Sequence, residues 1–155
     1  MPKRRDLIRM TEEEIDAFLA GRRVMNIATH NHDGTIHLVA MWYGFTADGR
    51  VGFETFAKSQ KIQNLRRDPR ITALVESGDQ YENLRGVELV AKAEVTEDAE
   101  VLMPIARSVV ERYIDLTNPA DAEPIAAAMA KNRAAVILNV DRVVSWDHTK
   151  LGGTY

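Results

Sequence analysis

Lys58, Ser59 and Lys61 are residues whose types and spacing offer chemistry at a defined place in this 155-residue chain. They stand where one periodicity gives way to another. Val51, Phe53 and Thr55 alternate with Gly52, Glu54 and Phe56, as on a strand. From Ser59 onward the pattern is helical. Ser59 suits an N-cap that accepts a hydrogen bond from the first turn, and Ile62 and Leu65 fall on one face. Pro69 ends the helix at or before Asp68. A strand feeding a helix leaves backbone N–H groups unpaired at the junction, and these favour an anion. One hydroxyl and two ammonium groups there would converge with them on a phosphate. Residues 58–70 carry Lys58, Lys61, Arg66, Arg67 and Arg70 against Asp68, a net of +4 in a chain of formal charge −3, so the remainder carries −7. Such a segment in an acidic protein suits a compact anion better than a nucleic acid, which needs a broad basic face. A solvated, arginine-rich surface helix would show the same spacing, and no glycine-rich loop accompanies it.

Other chemistries find less support. His30, His32 and His37 gather around one hairpin, but two of them flank or occupy the turn, and no carboxylate stands at a matching ligand spacing. Exposed turn histidines account for them, and no metal ligand is assigned. The chain has no cysteine, hence no disulfide, thiolate zinc site or cysteine nucleophile. Neither Gly-x-Ser-x-Gly nor Gly-x-Gly-x-x-Gly occurs, which removes a nucleophile elbow and a Rossmann dinucleotide site.

The elements that must position the junction read in order along a chain of one-domain size, residues 1–155. Residues 1–10 read as a loose arm without the apolar run of a signal peptide, and no stretch approaches a membrane span. A cytoplasmic protein is the expectation. Thr11 with Glu14 predicts a capping box, Ile15, Phe18 and Leu19 a helical face, and Gly21 its end. Residues 24–29, 35–45 and 51–56 predict a three-stranded meander, turning at residues 31–34 and 47–49. Helix 59–67 then leads to strands 70–76 and 87–95, the second with Val87, Leu89, Ala91, Ala93 and Val95 facing inward. Helix 99–116, kinked or begun by Pro104, and helix 122–131 precede a last strand, 134–144, and a flexible end at residues 152–155. The fold class is mainly β with peripheral helices: six strands and short hairpins suit a small antiparallel barrel.

Thr55, Ser59-Gln60-Lys61 and the run Asn64-Leu65-Arg66-Arg67-Asp68-Pro69-Arg70 resemble the phosphate-binding turn of the split β-barrel flavin and deazaflavin oxidoreductases. This is the superfamily of pyridoxamine 5′-phosphate oxidase, and the run is most similar to the branch using coenzyme F420. The likeness covers roughly residues 12–98 and is specific mainly at this turn. It implies a six-stranded split β-barrel and a homodimer with cofactor sites at the subunit interface. It implies an F420-dependent oxidoreductase moving a hydride between the deazaflavin and an organic substrate, with no nucleic acid or membrane as partner. Cofactor contacts would come from Thr55, Lys58, Ser59, Gln60 and Lys61, and from His32 on the matching hairpin. Val39, Ala40, Met41 and Trp42 would border the ring, although one face of that strand must pack the barrel. Trp146 and Lys150 would reach the partner's site, although a tryptophan after a strand also serves as a packing anchor. Flavin oxidases of the superfamily place basic residues on the second strand, and residues 37–43 have no Arg or Lys. An FMN-dependent enzyme on the same scaffold remains an alternative, as does a non-catalytic protein that stores the cofactor or a haem-like tetrapyrrole.

Overall fold

A computed structural model describes residues 3–153, so the first two residues of the expected arm and the last two of the expected flexible end lie outside them. The elements are α1 (Arg4–Leu7), α2 (Glu12–Ala20), β1 (Met25–His30), β2 (Ile36–Met41), β3 (Gly44–Phe45), β4 (Val51–Phe56), α3 (Gln60–Arg67) and β5 (Arg70–Ser77). They continue with β6 (Arg85–Thr96), α4 (Ala99–Tyr113), α5 (Ala122–Ala130) and β7 (Arg133–Asp147), and a 3-10 turn over His148–Leu151. The capping box that opens α2 is present: Thr11 Oγ1 accepts from Glu14 N at 3.2 Å, and Glu14 Oε2 accepts from Thr11 N at 2.7 Å.

Seven strands form one curled, wholly antiparallel sheet in the order β2-β1-β5-β6-β7-β4-β3. The expected count of six, and the meander with it, is therefore corrected. The expected strand over residues 35–45 divides at Trp42 and Tyr43: β2 pairs with β1, whereas β3 pairs with β4 at the opposite edge. Leu38 to Phe45 is a continuous run of apolar and aromatic residues and one glycine, so periodicity could not mark the division. Its cause is closure. Two strands adjacent in sequence occupy the two edges of the sheet, so the sheet must bend round on itself to let the chain pass between them. Tyr43 anchors the crossing, fully buried, with its hydroxyl donating to Leu19 O at 2.6 Å.

The inner face holds the main core, including Met25, Ile27, Phe53, Ile62, Val75, Val87 and Leu138. Along β6 the expected inward residues Val87, Leu89 and Ala91 are buried. A second layer covers β4 and β7 from outside. Leu102 and Ile105 of α4 pack on Ala135 and Ile137, and α5 packs behind α4 through Ala122 and Ala126. Gly52 permits this approach, because a Cβ there would stand 2.9 Å from Ile105 Cδ1. The helix starts at Ala99 and runs through Pro104 to Tyr113, stopping short of the expected residue 116.

The N-terminal arm is not loose over its described part. Met10 is buried, its N–H donates to Ser145 Oγ at 3.1 Å, and Ile8 O accepts from Asp147 N at 2.7 Å.

Candidate cofactor site

β4 delivers the chain to the start of α3, with Phe53 and Thr55 directed inward and buried. Ser59 takes the N-cap backbone conformation, φ −67° and ψ 158°, but its side chain does not cap. The Ser59 Oγ is buried and has no hydrogen-bond partner among the described residues. The expected capping bond is thus absent, which leaves both a hydroxyl and the first-turn N–H groups without one another.

Lys61 folds back to the end of β4. Its Nζ donates to Thr55 Oγ1 at 3.1 Å, and among the described residues no carboxylate lies within ion-pair distance of it. Burial pushes its pKa below the ordinary lysine value, and repulsion from Arg133 pushes it the same way. Arg133 opens β7 opposite Phe56, where its guanidinium lies 4.4 Å from the ring centroid. Thr55, Ser59 and Lys61 therefore stand at a helix N-terminus where the Lys61 charge has no carboxylate partner among the described residues.

Asn64 fixes α3 against the sheet. Fully buried, it donates to Thr29 Oγ1 at 3.1 Å and Asn31 Oδ1 at 2.9 Å, and accepts from Gln60 Nε2 at 2.9 Å. The bond to Asn31 ties the hairpin turn, and with it His32, to α3, though His32 itself is exposed. Gln60 is engaged with Asn64, and Lys58 extends into solvent.

The remaining arginines of the segment are occupied. Arg66 meets Glu97 at 3.1 Å and Arg70 meets Asp68 at 2.6 Å, while Arg67 donates to the His30 carbonyl. Arg70 holds the Asp68 carboxyl well below the ordinary carboxylate range. The net charge read along residues 58–70, which already counts Asp68, is thus further reduced by Glu97, distant in sequence.

Other expected contacts are distributed differently. Val39 and Met41 turn inward against the core, while Ala40 and Trp42 are exposed. Trp42 stacks on Tyr113 with centroids 4.9 Å apart and planes 6° apart. Trp146 covers Gly86 on the outer face of the sheet, where a Cβ would come within 2.2 Å of its ring. Lys150 binds Glu14 at 2.5 Å and the Arg9 carbonyl at 2.7 Å. Both lie at the opposite end of β7 from Arg133, about 40 Å of extended strand away before bending is allowed for. Within one subunit they do not join the α3 junction. His30 and His37 leave opposite faces of the β1–β2 ribbon, since His37 pairs with the inward Thr29. Among the described residues no three His, Cys, Asp or Glu side chains gather as a metal site.

Arg133, which repels the Lys61 ammonium, and its partner Glu54, 2.9 Å away, were not legible in the sequence as a pair. Seventy-nine positions separate them in sequence, and only the β4–β7 pairing brings them together.

The sequence profile of pyridoxamine 5′-phosphate oxidase matches residues 11–147. The chain belongs to that family. Among solved structures it is similar to the conserved protein Rv2991 of Mycobacterium tuberculosis, at 43% identity over 99% of this chain and 95% of the other, with a TM-score of 0.90. The haem storage protein HutZ of Vibrio cholerae shares the fold at 16% identity, TM-score 0.65, over 86% of this chain and 94% of that one. A protein named as an F420 reductase does so at 21% identity, TM-score 0.56, over 83% and 94%. No curated protein matches the sequence. Proteins of this fold thus include one named as an F420 reductase and one named as a haem storage protein, and the fold alone does not choose between them.

Proposed function

We propose that the protein is a homodimeric F420-dependent oxidoreductase whose cofactor phosphate sits between Thr55, Ser59 and Lys61. The observation that carries this reading is the half-buried Lys61 ammonium with no carboxylate, held on Thr55, and, two residues earlier in the same helical turn, the buried and unpartnered Ser59 hydroxyl. A bound phosphate would satisfy both groups together with the first-turn N–H groups of α3. When bound, F420 supplies the hydride chemistry, so the protein's part is binding and orientation. Lys58 adds positive charge at the pocket mouth, Gln60 braces Asn64, and Asn64 holds the helix in place. β2 is an edge strand, so its outward-directed backbone groups around Val39, Ala40 and Met41 are free to border a flat ring. The lack of Arg or Lys across residues 37–43 favours the deazaflavin over FMN.

The dimer reading rests on the outer face of the sheet. Ile36 and Leu38 of β2 are 54% and 69% exposed, and Leu38 lines a cavity with Ala28, Leu74 and Trp146. This face, mainly apolar although Asn26, Thr72 and Glu88 also line it, suits a second copy of the chain across a two-fold axis. Trp146 would then contribute to the interface, and His32 would lie near its rim.

The absorption spectrum of purified protein tests the assignment. A colourless preparation that quenches the fluorescence of added F420 is expected. Flavin bands would instead support the FMN alternative, and a Soret band a haem-storing role.

A further inference from the structure

Small side chains set the floor of a trough on the outer face of the sheet. His30 pairs with Ile36 across β1 and β2, and Arg70 with Lys92 across β5 and β6. Two residues further along the strands, Ala28, Thr72 and Val90 form the next row. Alternation puts both rows on the face opposite the buried Ile27, Thr29, Ile71 and Ala91. Together they line one cavity of about 420 Å³, the size of a small-molecule site. Its polar groups gather at one end. Arg70 and Lys92 are a directly opposed pair of like charge, which costs stability unless an anion offsets it. Asp68 does so in part, holding Arg70 Nε and Nη2 and standing 3.6 Å from His30 Nδ1. Among the described residues, Arg70 Nη1, the Lys92 ammonium and the Thr72 hydroxyl have no hydrogen-bond or ion-pair partner. Asp141, at the β7 bulge beside Val90 and Ala91, is a further carboxylate on the wall.

We propose that this trough binds an apolar monocarboxylate, its carboxylate on Arg70 and Lys92 and its hydrocarbon body over Ala28, Thr72 and Val90. The two free donors at the basic end suit one carboxylate, and Asp141 disfavours a second negative charge beyond Val90. The body would cover Ile36, which is 54% exposed, and gain from removing that apolar surface from water. Binding here requires neither F420 nor a second subunit, because the floor and the cations come from the strands of one chain. The trough shares Ala28 and Thr72 with the cavity at Leu38 and Trp146, so a second copy seated there would roof its apolar end.

Calorimetric titration of the cofactor-free protein with 2-naphthoate tests this, with 2-naphthylmethanol as the uncharged counterpart. The wild-type protein should bind 2-naphthoate saturably, one molecule per chain, and about tenfold more tightly than the alcohol. Lys92→Gln should weaken 2-naphthoate by about threefold to fivefold, in keeping with an exposed ion pair, and leave the alcohol unchanged. Lys92 is exposed, so its truncation should not unfold the chain. Ala28→Leu, which fills the floor, should weaken both probes. Absence of saturable 2-naphthoate binding to the wild-type protein would overturn the proposal, as would an alcohol that binds as tightly as the carboxylate. An unchanged preference for the carboxylate in folded Lys92→Gln would overturn it too, as would unchanged binding of both probes to folded Ala28→Leu.

Discussion

A half-buried ammonium without a carboxylate is a costly resting state, because desolvation penalises its charge. Lys61 is in that state, and Arg133 adds to the penalty. The cost is offset when an anion arrives, so Lys61→Ala should weaken F420 binding by about 1.5 to 3 kcal/mol, roughly tenfold to more than a hundredfold. Calorimetric titration of the variant checks this, and unchanged affinity would remove Lys61 from the site. Its unliganded melting temperature should not fall, since a penalised charge is removed. The pH dependence has a definite sign. Lys61 is depressed in the free protein, so its contribution to stability is unfavourable below its folded pKa and is relieved as pH rises towards the ordinary lysine value. A bound phosphate favours the protonated form. F420 affinity should therefore hold near neutral pH and fall as the free-state pKa of Lys61 is passed.

At the level of elements, the site depends on α3 keeping its place over β1 and β4. Asn64 supplies that constraint through Thr29 and Asn31. Asn64→Leu keeps the volume but leaves those buried groups unpaired, at a cost of about 1 to 3 kcal/mol. The melting temperature should drop by roughly 2 to 4 °C for each kcal/mol, and F420 affinity should fall with it. A variant with unchanged melting temperature would show that α3 is held by Ile62 and Leu65 alone. Arg112 plays a comparable part for α4. Its guanidinium donates to the carbonyls of Leu19, Ala20, Gly21 and Tyr43, closing the C-terminal end of α2 onto the barrel. Arg112→Ala should cost about 2 to 3 kcal/mol by denaturant unfolding. Local signals in the sequence resolve much of this level. The capping box at Thr11, the turn at residues 31–34 and the strand-to-helix change at Ser59 depend on neighbours a few residues apart. The break at Trp42 and Tyr43 does not, because it exists only when the curled sheet brings β3 against β4. The same limit hid the pair of Arg133 with Glu54, and it hid the ion pair of Arg66 with Glu97.

The whole molecule exposes an apolar sheet face that a monomer would leave in water. Leu38→Lys should cost the isolated subunit little, since the side chain is already exposed, but should drive a dimer towards monomer at micromolar concentration. Light scattering distinguishes the two, and a wild-type monomer would contradict the dimeric site. Charge again decides which cofactor the assembled protein takes. F420 brings one phosphodiester and a carboxylate-bearing tail, whereas FMN brings one terminal phosphate. Arg66 and Arg70 are exposed and paired with Glu97 and Asp68, so a tail could engage them only by exchanging weak surface ion pairs. The tail's gain should accordingly be sensitive to salt, with the phosphate contact at Lys61 less so. Titrating F420 and FMN into the purified protein at low and high ionic strength tests this directly. F420 should bind more tightly than FMN at both, with the steeper decline as salt is raised. FMN binding more tightly at every salt concentration would contradict the assignment.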